Sequence, residues 1–120
     1  MGIDIGRSAT KIGLVDMNYK LLAHKVIRTE PEKHPEEIIR NIGEAVLGLM
    51  EEHGIAVDQC AGAGVGVPGT VDDKKGVVIE SDYIPWKHVQ LENMLEEYLP
   101  VPVKVADDAD FAALGAACLV

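Results

Sequence analysis

The sequence predicts an α/β domain built on a mixed sheet, and three observations predict it. Residues 2–29 fall into short runs in which apolar positions alternate with polar or small ones, the period of a strand. Two later stretches place apolar residues at helical spacing along one face. Around those stretches lie further apolar runs bounded by glycine and proline, so strands and helices alternate as in α/β sheets.

The meander comes first. "GIDIG" alternates isoleucine with small or polar residues, a short loop follows at Arg7, Ser8 and Ala9, and "TKIGLVD" resumes the pattern. "MNYK" supplies turn chemistry through Asn18, and "LLAHKVIRT" alternates again, which completes three antiparallel strands. Pro31 and Pro35 then break the extended pattern and set up a helix from about Glu36 to His53. Ile38, Ile39, Ile42, Ala45, Val46, Leu49 and Met50 form its apolar face; Glu36 and Glu37 suit its positive end, and Gly54 is placed to stop it.

"AGAGVGVPG" reads as a strand ending at Pro68-Gly69. Glycine weakens a strand, so this one is either a packing device or the wall of a site. "VDDKKG" reads as a loop tip, "VVIES" as a return strand, and "DYIPWKH" as an irregular stretch holding the single tryptophan, Trp86. A second amphipathic helix runs through Leu91, Met94, Leu95 and Leu99 until Pro100 and Pro102 end it. "VPVKVA" is a buried-strand candidate, and a small-residue helix starts at Ala109 and is still running at Val120. That ending predicts a fragment of a longer protein, and the start at Met1 directly on a strand predicts no DNA-binding module upstream.

A chain of 120 residues fits one domain, and 48 % hydrophobic with 26 % charged residues is an ordinary globular balance. The formal net charge of −9 argues against binding a nucleic-acid backbone or an anionic membrane surface. No apolar run approaches the roughly 20 residues that span a bilayer, and no secretion signal is evident. Cys60 and Cys118 lack metal-ligand spacing and read as reduced thiols of a cytoplasmic protein. The four histidines are scattered and mark no metal site.

Ligands of open α/β sheets collect where loops leave the carboxyl ends of strands. Three candidates stand at such ends. The "GRSATK" loop offers backbone N–H groups, the Ser8 and Thr10 hydroxyls and the cations of Arg7 and Lys11, a set suited to phosphate; a loop of this kind is more often an ordinary hairpin connection. Asp4, just before it, could hold a hydrated Mg²⁺. The "PGTVD" loop is the second. The third is "ADDAD", with Asp107, Asp108 and Asp110 between a strand and a helix. One aspartate suffices to cap the helix; another, held rigidly, could act as general base in a phosphoryl transfer to a hydroxyl.

These three loops, in this order and spacing, resemble the ROK family of bacterial sugar kinases and sugar-responsive repressors. "GIDIG…TKIGLVD" is similar to the family's first phosphate motif, "GVGVPGTVD" to its sugar-facing loop, and "IPWKHVQLENMLEEYLPVPVKVADDADFAALGA" to the stretch that ends in its "NDAN" motif. The resemblance implies the actin/hexokinase (ASKHA) fold, with residues 1–120 as the N-terminal ribonuclease-H-like lobe and the C-terminal lobe absent from this chain. It implies ATP and Mg²⁺ as cofactors, held by Asp4 (through water), Gly6, Ser8, Thr10 and Lys11. It implies a small-molecule sugar, a hexose or N-acetylhexosamine, held by Pro68, Gly69, Thr70, Asp107 and Asp108, and it leaves room for a homodimer. Asp108 falls on the catalytic base, and Asp107 and Asp110 on asparagines. Zinc is not expected here, because the family's cysteine-rich motif belongs to the other lobe.

Several residues depart from the family pattern. Arg7 and Ser8 replace glycine and threonine, Ala106 stands where glutamate is common, and Tyr83 where asparagine often is. An ionised Asp107 only accepts hydrogen bonds, whereas an amide also donates. The intact Asp4, Lys11 and Asp108 favour a sugar kinase; Arg7 and the altered sugar contacts favour the effector-binding part of a repressor.

Overall fold

A computed structural model describes residues 1–18, 20–81 and 83–107. The meander is present as β1 (Gly2–Ile5), β2 (Ala9–Val15) and β3 (Leu21–Arg28). Its second turn is held by Asp16, whose Oδ1 accepts the N–H groups of Asn18 at 2.8 Å and Lys20 at 3.0 Å. The expected helix is α1 (Pro35–Glu52), with Pro35 in its first turn, where a missing N–H costs nothing. Gly54 ends it at φ +66°: its N–H bonds the Glu51 carbonyl while the Ile55 N–H bonds Met50, a Schellman arrangement.

Next come a short 3₁₀ turn (Val57–Gln59), then β4 (Ala63–Val67), β5 (Thr70–Asp72), β6 (Val77–Glu80), β7 (Lys87–Val89), α2 (Leu91–Glu96) and β8 (Val103–Asp107). The main sheet has five strands in the order β3-β2-β1-β4-β8, with β1, β4 and β8 parallel and β1, β2 and β3 antiparallel. It is the predicted mixed sheet. The "VVIES" strand, however, is not in it: β5, β6 and β7 form a separate three-stranded antiparallel sheet. Part of the expected loop tip and of the irregular stretch are therefore strands. Each is three residues long, too short to show a period, and exists because β6 pairs with it.

One face of the main sheet carries Ile3, Ile5, Ile12, Leu14, Val65, Val67, Val103 and Val105, and α1 and α2 close over it with Ile38, Ile39, Ile42, Val46, Leu91 and Leu95. All of these are fully or nearly fully buried. Burial of that many aliphatic side chains is the main force holding the layers together. Trp86, from the stretch that the sequence leaves irregular, is only 1 % exposed and belongs to the same core.

Candidate functional site

Because β1, β4 and β8 run parallel, their carboxyl ends lie at one end of the main sheet. The loop at Gly6–Ser8, the Pro68-Gly69 turn and Asp107 all leave from that end. The register is specific: Asp4 is aligned with Gly66, and Gly66 with Ala106. Neighbours in a parallel ladder share a face, so Asp4 stands beside a glycine and then an alanine, opposite to the buried Ile3 and Ile5. Asp107 is aligned with Val67, one position further along, and so belongs to the other face. The two carboxylates share an end of the sheet and stand on opposite faces.

The first loop is tied down from the inside. The Gly6 N–H bonds the Ala9 carbonyl at 2.9 Å, and the Thr29 N–H bonds the Ser8 carbonyl at 3.1 Å. The Thr29 hydroxyl donates to the Gly6 carbonyl at 2.7 Å and lies 2.8 Å from the Thr10 hydroxyl. A carbonyl cannot donate, so the single Thr29 proton goes to Gly6, and in the pair of hydroxyls Thr10 is the donor. Thr10 is fully buried and Thr29 is 3 % exposed. By contrast, Arg7, Ser8 and Lys11 are exposed. The amide N–H groups of Arg7 and Ser8 have no partner among the described residues. Lys11 stands across the ladder from Asp4, and neither it, Asp4 nor Arg7 forms an ion pair with a described residue. Free amides beside two cations make an anion-binding concavity, and the half-exposed Asp4 beside Gly66 leaves room for a hydrated cation. The residues present thus fit a nucleotide phosphate and Mg²⁺. Among the described residues no cluster of three or more His, Cys, Asp and Glu could hold a metal by itself.

The Pro68-Gly69 turn carries the chain from the main sheet to the second one. Pro68 is buried, Gly69 half-buried and Thr70 exposed. Gly69 has φ +134°, and a Cβ there would lie 2.2 Å from the Glu80 carbonyl oxygen, so the turn is pressed against the end of β6. Ser81 fixes the contact: its hydroxyl donates to the Pro68 carbonyl at 2.6 Å and accepts the Ile84 N–H at 3.4 Å. The Ser81 N–H in turn bonds the Trp86 carbonyl at 3.3 Å. In this way the buried tryptophan segment backs the turn, and Tyr83 is left 63 % exposed beside it.

At the third corner Ala106 is buried and Asp107 half-buried. Asp108 and Asp110, and the helix expected from Ala109, lie outside the described residues. Of the residues singled out in the sequence, the fold brings Asp4, Gly6, Ser8, Lys11, Pro68, Gly69 and Asp107 to one end of the sheet, with Thr10 underneath. Thr29 and Ser81 escape sequence reasoning. Each is a hydroxyl residue just beyond a strand, and that is the only local signal either one gives.

The profile of the ROK family matches residues 1–119. Among curated proteins, the chain is 28 % identical over 115 residues to a glucokinase of Halalkalibacterium halodurans, covering 96 % of this chain and 35 % of that protein. It is 22 % identical to a xylose repressor of Caldicellulosiruptor bescii, again over 96 % of this chain but 29 % of the relative. Among solved structures, a ROK family glucokinase from Streptomyces griseus in complex with glucose and AMPPNP superposes with a TM-score of 0.79 at 34 % identity, over 95 % of this chain and 34 % of that one. The chain therefore spans about a third of the length of the glucokinases it matches. It has the mixed α/β architecture of the ASKHA-fold sugar kinases. The match of the family profile over residues 1–119 shows that the chain belongs to the ROK family.

Proposed function

We propose that the chain is the N-terminal, sugar-binding and catalytic-base lobe of an ATP-dependent sugar kinase that phosphorylates a hydroxyl of a hexose or N-acetylhexosamine. The observation that carries this reading is the convergence, at one end of a parallel β1-β4-β8 unit, of an amide-rich loop, a glycine turn and Asp107. Phosphoryl transfer needs mainly positioning and charge neutralisation, and these elements supply both. ATP supplies the phosphoryl group and Mg²⁺ spreads its charge. Within the chain, the amides of Arg7 and Ser8 and the side chains of Arg7, Ser8 and Lys11 hold phosphate oxygens, Gly6 and Thr10 shape that loop, and Asp4 orients the hydrated cation. Pro68, Gly69, Thr70 and Asp107 position the sugar, and Asp108 accepts the proton of the attacking hydroxyl. The glucose- and AMPPNP-bound neighbour supports a lobe that takes a sugar and a nucleotide, and a reaction that draws on ATP fits the cytoplasm.

The test is a coupled phosphotransfer assay on the complete protein with glucose, mannose, N-acetylglucosamine and N-acetylmannosamine. Asp108→Asn keeps shape and hydrogen bonding but removes the proton acceptor, so turnover should fall by roughly 10²- to 10⁴-fold with sugar affinity retained. Asp108→Asn turning over like the wild type would refute the assignment of the base. A second reading, the effector-binding part of a repressor, is favoured by Arg7 in the phosphate loop and by the similarity to a xylose repressor. Sugar binding without phosphoryl transfer, coupled to sugar-dependent DNA binding, would establish it instead.

A further inference from the structure

Among the described residues, every hydrogen bond of the Gly6–Ala9 loop to the rest of the protein that involves a loop carbonyl runs to one residue. Thr29, the first residue after β3, uses its N–H on the Ser8 carbonyl at 3.1 Å and its hydroxyl proton on the Gly6 carbonyl at 2.7 Å. It accepts the Thr10 proton at 2.8 Å, and both hydroxyls are buried. The Ala9 carbonyl is taken by the Gly6 N–H inside the loop. Carbonyls repel a phosphate, and here those of Gly6, Ser8 and Ala9 are all spent, whereas the amides of Arg7 and Ser8 are not. A loop that keeps its amides for a ligand needs restraint from outside itself. Thr29 is the only side chain among the described residues that provides it.

We propose that Thr29, relayed to Thr10, is a positioning residue of the anion site: it holds the loop in its donor-presenting conformation and so sets nucleotide affinity without touching the nucleotide. The inference rests on the phosphate-loop reading above. The Thr10 hydroxyl, buried and with its proton committed, acts in the same brace rather than as a phosphate donor. No comparable link joins Thr29 to the Pro68-Gly69 turn, which Ser81 holds separately.

The experiment compares the wild type with Thr29→Val, Thr29→Ser and Thr10→Val in the complete protein. Two readouts are taken: hydrogen–deuterium exchange of the 6–9 backbone, and the KM values for ATP and for sugar. Valine keeps the volume and removes one buried donor and acceptor, so Thr29→Val should raise loop exchange and the ATP KM by about tenfold each. The sugar KM should stay within about twofold, since the two loops are held separately. Thr29→Ser should restore both values. Thr10→Val, which removes only the outer hydroxyl, should shift them in the same direction by a smaller factor. It also carries the test if Thr29→Val fails to fold, and an unchanged loop in Thr10→Val would then overturn the proposal. Wild-type loop exchange and ATP KM in Thr29→Val would overturn it too, as would equal rises in both KM values with no rescue by serine. A wild-type protein that binds no nucleotide would refute the kinase reading instead, and loop exchange would still decide whether Thr29 is the brace.

Discussion

Gly69→Ala makes the strongest demand on the geometry of the site. The added Cβ would lie 2.2 Å from the Glu80 carbonyl oxygen, 2.6 Å from the Ser81 Cα and 3.1 Å from the Glu80 carbonyl carbon. All three are backbone atoms, so no change of rotamer relieves the overlap; the end of β6 or the turn itself must move. Movement is resisted, because the Ser81 hydroxyl holds the Pro68 carbonyl at 2.6 Å and the Ser81 N–H is bonded to Trp86. Backbone strain at φ +134° adds to the clash. Such strain costs about 1–3 kcal/mol and forced overpacking about 1–3 kcal/mol, which together give a loss of roughly 2–6 kcal/mol.

In thermal unfolding of the complete protein that loss lowers the midpoint by roughly 5–15 °C. The same displacement moves Pro68 and Thr70 with the turn, so sugar affinity should fall more than ATP affinity. Titration of sugar and nucleotide into variant and wild type checks the second part. A variant that melts with the wild type and binds sugar equally well would show that the turn is not pressed against β6, and the account of this side of the site would fail.

Two other substitutions probe the scaffold and its pH response. Gly43 on α1 packs against Tyr98, two residues beyond the end of α2; a Cβ there would meet the Tyr98 Cβ at 2.6 Å and Cγ at 2.9 Å. Both atoms sit near their own backbone, so Gly43→Ala should cost about 1–3 kcal/mol by urea denaturation despite alanine's better helix propensity. Glu92 has a covered Oε2 without a partner among the described residues, and burial pushes its carboxyl above the ordinary value of 4.5, against an opposing pull from Lys104. A raised folded-state value means that the protonated form is favoured on folding. Its stabilising contribution is complete below the ordinary value and is lost as pH rises through the folded one. Glu92→Gln should therefore flatten the fall in stability that this group causes as pH rises above its ordinary value of 4.5; an unchanged urea midpoint profile would refute the assignment.

The long elements were legible in the sequence because their signals are local. Helix α1 shows several turns of apolar spacing with a proline at one end and a glycine at the other, and it appears as Pro35–Glu52 against an expected Glu36–His53. Helix α2 is shorter than its apolar pattern, ending at Glu96, although Leu99 remains buried and its N–H still bonds the Leu95 carbonyl. The second sheet was not legible. Strands β5 and β7 have three residues each, and only pairing with β6 makes them extended. A pattern of period two cannot be read from three positions.

The site divides in the same way. Residue types suited to phosphate, cation and sugar could be named because ligand chemistry restricts them to a few side chains, and glycine marks where a backbone must come close. The face on which each one stands could not be named, since the parity of Asp107 relative to Asp4 depends on pairing both strands with β4, far from either in sequence. Nor could Thr29 or Ser81 be found. A loop that offers its amides to a ligand cannot also use them to hold itself, so its restraint must come from another part of the chain. Thr29 follows the Gly6 carbonyl it holds by 23 residues, and Ser81 follows the Pro68 carbonyl by 13. At those distances no spacing rule links support to loop, because only the folded sheet brings the two together. Motif reading therefore recovers the residues that meet a ligand and misses those that keep them in place, and substitution of the second kind is the sharper test of whether the site is organised as described.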